Sequence, residues 1–180
     1  MNRSFLSSER IYLRAVEPED LSVMYDMEND PSMWDVSCVT VPYSRHVLRQ
    51  YIEESQCDMF SDKQLRLMIM GKQENAVLGT IDLTDFIPLH RRAEVGIALQ
   101  VQYRKNGYAL EALNLLCEYA FRFLRLHQLC AHVASDNQES IRLFTKGGFE
   151  QCGLLKDWIQ TPEGFKDVAL LQRLADSVEK

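Results

Sequence analysis

Two cations and a glycine stand together in Leu99-Gln100-Val101-Gln102-Tyr103-Arg104-Lys105-Asn106-Gly107-Tyr108-Ala109, where an apolar strand pattern gives way to a strong helix pattern. The first N–H groups of a helix have no intrahelical partner, point outward and carry partial positive charge, so they bind phosphate. Gly107 lacks a Cβ and lets an anion reach the backbone, while Arg104 and Lys105 add charge. The chemistry on offer is capture of an anionic ligand. The loop is neither a dinucleotide fingerprint nor a Walker loop, since it lacks the glycine spacing of both. Taken alone, it reads equally well as a basic turn with a conformational glycine.

Other reactive side chains offer less. The five cysteines (Cys38, Cys57, Cys117, Cys130 and Cys152) are scattered without a Cys-x-x-Cys pair, a pattern of reduced thiols rather than of a disulfide framework. His127 and Cys130 stand three apart, but a tetrahedral centre needs four ligands and no second pair exists, so no metal is expected. Neither Cys117 nor Cys130 has a base beside it in sequence to support an acyl-cysteine. His132, alone on a short apolar strand, reads as a core histidine and stays outside the catalytic set.

Charge narrows the partners. The 180 residues carry a net charge of −6, and all of the imbalance lies in residues 1–60, with 11 acidic and 5 basic side chains. A duplex-binding protein needs a basic stripe for phosphate contacts, so no direct nucleic-acid partner is expected. An acidic first third suits a cationic substrate, or is simply a solvated face. No apolar run approaches a membrane span. Met1-Asn2-Arg3-Ser4 lacks a signal-peptide core, and the cytoplasm is the expected location.

The elements that must position these residues follow from periodicity. Arg10–Arg14 alternates as a strand, and Glu17-Pro18-Glu19-Asp20 opens a helix that Asn29-Asp30-Pro31 ends. A second helix is expected from about Ser44 to Glu54. Leu65–Met70 and Ala76–Leu83 flank a polar turn as a hairpin, and a further strand runs from Ala93 to Leu99. From Gly107, an apolar stripe through Ala109, Ala112, Leu113, Leu116, Ala120, Phe123 and Leu124 marks a central helix. The strand Leu129–Ala134 then implies a parallel crossover. Asp136-Asn137 caps a helix ended by Gly147-Gly148, and two strands close the chain around Thr161-Pro162-Glu163-Gly164.

At its basic loop the chain resembles a family. Arg104-x-x-Gly107-x-Ala109 resembles the Arg/Gln-x-x-Gly-x-Gly/Ala signature of the GNAT superfamily of acyl-CoA N-acyltransferases. The opening Ile11-Tyr12-Leu13-Arg14 with Glu19-Asp20-Leu21 is similar to that family's first strand and helix. Asn137-x-x-Ser140-x-x-Leu143-Phe144-x-Lys146-x-Gly148-Phe149 resembles its late helix, and the strands around Pro162-Glu163-Gly164-Phe165 resemble its ending. Within the superfamily the chain looks most like the ribosomal-protein N-terminal acetyltransferases and spermidine N-acetyltransferase; His90-Arg91-Arg92-Ala93-Glu94 resembles the latter.

The resemblance implies one α/β domain over residues 1–180, with its core at about 8–174. The implied fold is a mixed, mostly antiparallel seven-stranded sheet flanked by helices, its fourth and fifth strands (Ala93–Val101 and Leu129–Ala134) splayed into a V. The pantetheine arm of acetyl-CoA would pair with the backbone of Leu99 to Val101. Its pyrophosphate would lie on the amides of Arg104, Lys105, Asn106, Gly107, Tyr108 and Ala109, with Asn137 and the helix behind it completing the site.

The implied reaction is direct attack of a neutral amine on the thioester in a ternary complex. An aliphatic amine is largely protonated at neutral pH, so a base must first remove a proton. Glu94, at the matching strand position, is the implied base; a structural ion pair with Arg91 or Arg92 is the alternative. Asp82 is a second carboxylate, for the acceptor side or for an ordinary surface. Many family members carry a tyrosine at the position of Phe144, where its hydroxyl protonates the departing thiolate, and Phe144 has no proton to give. That departure keeps a second reading in view, a non-catalytic acyl-CoA-binding sensor or interaction module. Trp34, Tyr43, Tyr51 and Trp158 are available to an acceptor or a partner subunit, or to the core. The expected acceptor is a primary amine (a polyamine, a protein N-terminus or another small amine), and the resemblance implies a dimer or larger assembly.

Overall fold

The computed structural model describes residues 5–30, 41–54, 58–73 and 75–175. In β1 (Ile11–Ala15), Ile11 and Leu13 are buried while Tyr12 and Arg14 are half-buried, as its alternation requires. A 3₁₀ turn at Pro18–Asp20 leads into α1 (Leu21–Glu28). Asp20 holds that entry, accepting from Arg14 at 2.6 and 2.8 Å and from the Glu17 N–H at 2.8 Å. At the exit, the Asn29 amide donates to the Tyr25 and Tyr43 carbonyls and its oxygen accepts the Tyr43 N–H. This clips α1 to the chain entering α2 (Arg45–Glu54). A single turn, α3 (Met59–Asp62), precedes the central sheet.

The remaining elements are β2 (Leu65–Gly71), β3 (Ala76–Ile87), β4 (Arg92–Leu99), α4 (Tyr108–Glu118), β5 (Gln128–Ala134), α5 (Gln138–Lys146), β6 (Glu150–Thr161) and β7 (Gly164–Leu174). They build one seven-stranded sheet in the order β1-β2-β3-β4-β5-β7-β6. Every neighbouring pair is antiparallel except β4 with β5, which α4 joins as a crossover.

Helices cover both faces of the central strands. Leu65, Leu67 and Ile69 of β2 join the core that α4 covers with Ala112, Leu113 and Leu116, whereas Met68 and Met70 pack with Met24 of α1 and Leu48 of α2. A strand buried on both faces reads as a nearly continuous apolar run, which Leu65–Met70 is. Gly79 lets β3 lie against β4 with no side chain between them, since a Cβ there would lie 2.0 Å from the Ala98 carbonyl oxygen.

One detail departs from the periodicity. The central helix ends in a π-helical turn at Tyr119–Phe123. The wider turn keeps Ala120 fully buried but swings Phe123 out, 60% exposed, where it stacks on Tyr119 at 5.2 Å. An α-helical stripe cannot anticipate the extra residue in that turn.

Candidate active site

β4 pairs with β3 as far as Leu99, but its pairing with β5 covers only Arg92–Gln128, Ala93–Leu129 and Glu94–Cys130. β5 stays paired with β7 out to Ala134. The two strands therefore part after Glu94, in the V expected between the fourth and fifth strands. The Gln100 N–H donates to the Leu78 carbonyl, so even-numbered residues of β4 exchange their bonds with β3. The alternation of an antiparallel ladder then turns the N–H and C=O groups of Val95, Ile97 and Leu99 into the V. Such groups pair readily with an extended ligand that carries amides. A cavity of about 570 Å³ opens from this V.

Beyond Leu99, a 3₁₀ turn at Val101–Tyr103 leads to Gly107, the N-cap of α4. Lys105 (φ 63°) and Gly107 (φ 83°) both adopt left-handed backbone, and such curls make successive N–H groups converge on an anion. Arg104 folds back, its Nε donating to the Leu99 carbonyl at 3.0 Å. Lys105 is 81% exposed, with Nζ 3.4 Å from Glu139 on α5. Asn106 bonds the Arg104 carbonyl through its side-chain amide, and Tyr108 and Ala109 form the first helical turn. Asn137 caps α5 by accepting the Ser140 N–H at 3.1 Å, and it lines the cavity.

Sequence reasoning missed Arg10 at this loop. From the turn before β1, its Nη1 donates to the Asn106 carbonyl at 3.1 Å, and its guanidinium lies 4.8 Å from the Tyr108 ring centre. It pairs with Glu111 at 2.6 Å, and Glu111 also accepts from Ser8 at 2.5 Å. Burial opposes the charge on Glu111, but Ser8 and Arg10 outweigh it and hold the carboxyl below its usual range. No spacing rule connects positions 10 and 111; only the docking of α4 beside β1 does.

The cavity's other end lies on the α1–α2 face of the sheet. Arg66, Asp82 and Gly96 stand in a row across β2, β3 and β4. Arg66 grips Asp82 with two bonds of 3.0 and 2.9 Å and reaches Glu28 of α1 at 2.5 Å. Burial works against this guanidinium, yet Asp82 and Glu28 raise its affinity for the proton further. Burial also drives the Asp82 carboxyl above its ordinary range against the pull of Arg66, and Glu28 adds to the rise. Asp82 therefore lines the cavity as one end of an ion-pair cluster. Met24, Met27, Tyr43, Tyr51 and Trp158 supply apolar wall. Trp34 lies outside the described residues.

Glu94 sits where the strands part, and its partner is neither Arg91 nor Arg92. Oε1 lies 2.8 Å from Nδ1 of His132 on β5, while Arg91 donates to the Arg125 carbonyl. This corrects the sequence reading of His132 as a core residue. Leu129, Ala131 and Val133 take the core face of β5, so the alternation aims His132 the other way, into the cavity, with its side chain 34% exposed. Phe144 also lines the cavity, 3% exposed and edge-on to Phe149 at 5.1 Å. One helical turn earlier, Ser140 brings a hydroxyl to the same wall, a group the sequence reading named only as part of a motif.

Residues 10–150 match the acetyltransferase (GNAT) domain family. The chain belongs to that family. It is an acetyl-CoA-dependent N-acetyltransferase that transfers an acetyl group to an amine, in the mixed seven-stranded fold that the V requires. An uncharacterized N-acetyltransferase of Bacillus licheniformis, p20, is 28% identical over 169 residues, covering 94% of this chain and 95% of its own length. The spermidine N(1)-acetyltransferase of Escherichia coli K12 is 27% identical over 152 residues, 83% of this chain and 77% of that enzyme. The Vibrio cholerae spermidine N-acetyltransferase in complex with CoA and spermine superposes with a TM-score of 0.82 at 24% identity, covering 92% of this chain and 95% of that one. A dodecameric structure of the Vibrio enzyme superposes with a TM-score of 0.77 at 25% identity, covering 92% and 94%. Among the described residues, no helix is long and apolar enough to cross a membrane.

Proposed function

We propose that the acceptor is a cationic aliphatic amine of the polyamine class, bound at the carboxylate-rich end of the cavity and acetylated where Glu94 meets the V. The observation that carries this reading is the charge of the lining: Glu28, Asp82 and Glu94 face a single described guanidinium, Arg66. A cleft with surplus negative charge and apolar walls concentrates cations. The Escherichia coli and Vibrio cholerae relatives, both spermidine acetyltransferases, support the same acceptor class.

In this reading the pantetheine arm of acetyl-CoA runs along the backbone of Leu99 to Val101. The pyrophosphate rests on the amides of Arg104 to Ala109, with Arg104 and Lys105 supplying charge and Asn137 completing the pocket. The Glu94–His132 pair draws a proton from the ammonium group so that the nitrogen can attack the thioester carbonyl. A β4 N–H turned into the V receives the oxyanion, a contribution that preorganised donors make strongly in a site shielded from water. Ser140 offers the O–H that Phe144 lacks when the thiolate leaves. The chain works as one acetyltransferase domain over residues 1–180, in the cytoplasm and as an assembly of several copies. The dodecameric Vibrio relative supports the last point, as do the exposed Leu154, Trp158 and Phe165 of the β6–β7 hairpin.

The test is thiol release from acetyl-CoA with spermidine and with a serine-starting peptide, side by side. Spermidine-dependent release is expected. Release with the peptide alone would move the acceptor to protein N-termini. No release with either, acetyl-CoA still binding, would overturn the reading.

A further inference from the structure

We infer that His132 is the group that takes the proton from the incoming amine, with Glu94 behind it as the residue that positions and charges the imidazole. The inference rests on the amine-acceptor reading above and deepens it, because it says which member of the pair touches the substrate.

Three observations converge. Glu94 is engaged at Oε1 by Nδ1 of His132, so the nitrogen on the far side of the ring, Nε2, is the one turned from the carboxylate. Among the described residues Nε2 has no hydrogen-bond partner, and the side chain is the more open of the two, 34% exposed against 26% for Glu94. The pair sits just past the last β4–β5 backbone contact, at Glu94–Cys130. Continuing that register brings His132 level with Gly96, which has no side chain to fill the V and whose backbone lines the cavity. Space for a reacting nitrogen therefore lies beside the imidazole.

The charged and titratable groups around the ring are few. Glu94 faces it from β4 and Cys130 lies two residues back on its own strand, while β7 presents Leu170. The Glu28–Arg66–Asp82 cluster stands across the cavity. Burial holds the Cys130 thiol above its usual range, which leaves it neutral and no competitor for the proton.

The proton count closes. The neutral imidazole donates Nδ1–H to Glu94 and accepts one proton from the ammonium group at Nε2, leaving an imidazolium–carboxylate pair and a free amine. The amine lone pair forms the C–N bond, the carbonyl electrons move to oxygen, and their return breaks the C–S bond. The second proton leaves the amide nitrogen and ends on the departing sulfur. His132 then returns its proton to solvent through the open side of the cavity.

The experiment compares wild type, His132→Gln and Glu94→Gln in kcat/KM for spermidine and for the serine-starting peptide between pH 5.5 and 9.5, with acetyl-CoA affinity measured in parallel. His132→Gln should lose about 100-fold or more, the contribution of a general base, and should lose the acid limb of the profile while binding acetyl-CoA normally. Glu94→Gln should lose less and keep the limb, because the imidazole remains in place without its positioning partner. In His132→Ala, added imidazole should restore part of the rate. Activity in His132→Gln within threefold of wild type on an unchanged profile, with Glu94→Gln inactive, would overturn the assignment and put Glu94 itself on the amine. Wild-type protein that acetylates neither acceptor would overturn the amine reading and this one with it, whereas turnover that ignores His132 overturns this one alone.

Discussion

Arg66→Met tests whether the Arg66–Asp82 end of the cavity is held by charge compensation. Arg66 is 24% exposed and Asp82 16% exposed, joined by two bonds of 3.0 and 2.9 Å. Removing one partner of a buried pair costs about 3–5 kcal/mol because the other charge is left uncompensated. The residual exposure of both side chains lowers that cost through solvent screening, so Arg66→Met should lose about 2–3 kcal/mol at pH 8. For a chain of this size that is a fall in Tm of about 4–12 °C. The sign with pH follows from Asp82. Burial already raises its carboxyl in the folded protein, and Arg66 is the group pulling against that rise. Without Arg66 the folded carboxyl binds its proton more tightly than the unfolded one, and such stabilisation is present at low pH and lost as pH climbs through the folded value. The variant should therefore recover toward wild type as the pH is lowered from 8 to about 5. Adding Asp82→Asn should restore at least half of the loss at pH 8. Urea unfolding followed by circular dichroism at three pH values reads all of this. A loss independent of pH, with Asp82→Asn adding further damage instead of relief, would refute the charge argument and leave lost packing on Tyr51 as the cause.

Other consequences are as direct. Burial opposes the charge of Asp20, but Arg14 and the Glu17 N–H outweigh it and keep its carboxyl below the usual range. Its contribution is present at neutral pH and fades on acidification, so Asp20→Asn should cost about 1–3 kcal/mol at pH 7, and urea midpoints should converge with wild type between about pH 5 and pH 3. Gly107→Ala forces a side chain into left-handed backbone at φ 83°, a strain of about 1–2 kcal/mol. Calorimetry should show acetyl-CoA binding weakened about tenfold, and unchanged affinity would mean that the loop amides do not hold the pyrophosphate. Asn137→Ala removes the cap of α5 at a cost of about 1 kcal/mol and should raise KM for acetyl-CoA more than it lowers kcat; a wild-type thermal midpoint would show that the Ser140 N–H does not depend on it.

Local pattern was enough for much of this protein. Helices, strands and the Gly107 junction are legible because burial repeats at 3.6 in helices and at 2 in strands, and because glycine and asparagine stand where φ or a cap demands them. The basic loop is contiguous, from Leu99 to Ala109, so its residue pattern could be read from neighbouring letters. The far end of the cavity is assembled from α1, β2, β3, β4 and β5, and no spacing joins Glu28 to Arg66 or Glu94 to His132. His132 shows why. A lone histidine on an apolar strand is ambiguous until the strand's neighbours are known, because alternation says that two faces exist and not which one is covered. The sheet order settled it: β4 leaves β5 after Glu94, and the face bearing His132 opens onto the cavity. Arg10 joined the basic loop in the same way, by the packing of α4 against β1. Sequence alone determined the elements and the contiguous basic loop, since short-range sterics and periodic burial act within a few residues. Tertiary structure decided the pairing of charges, because their energy depends on distance and on exclusion of water, and both are properties of the packed chain.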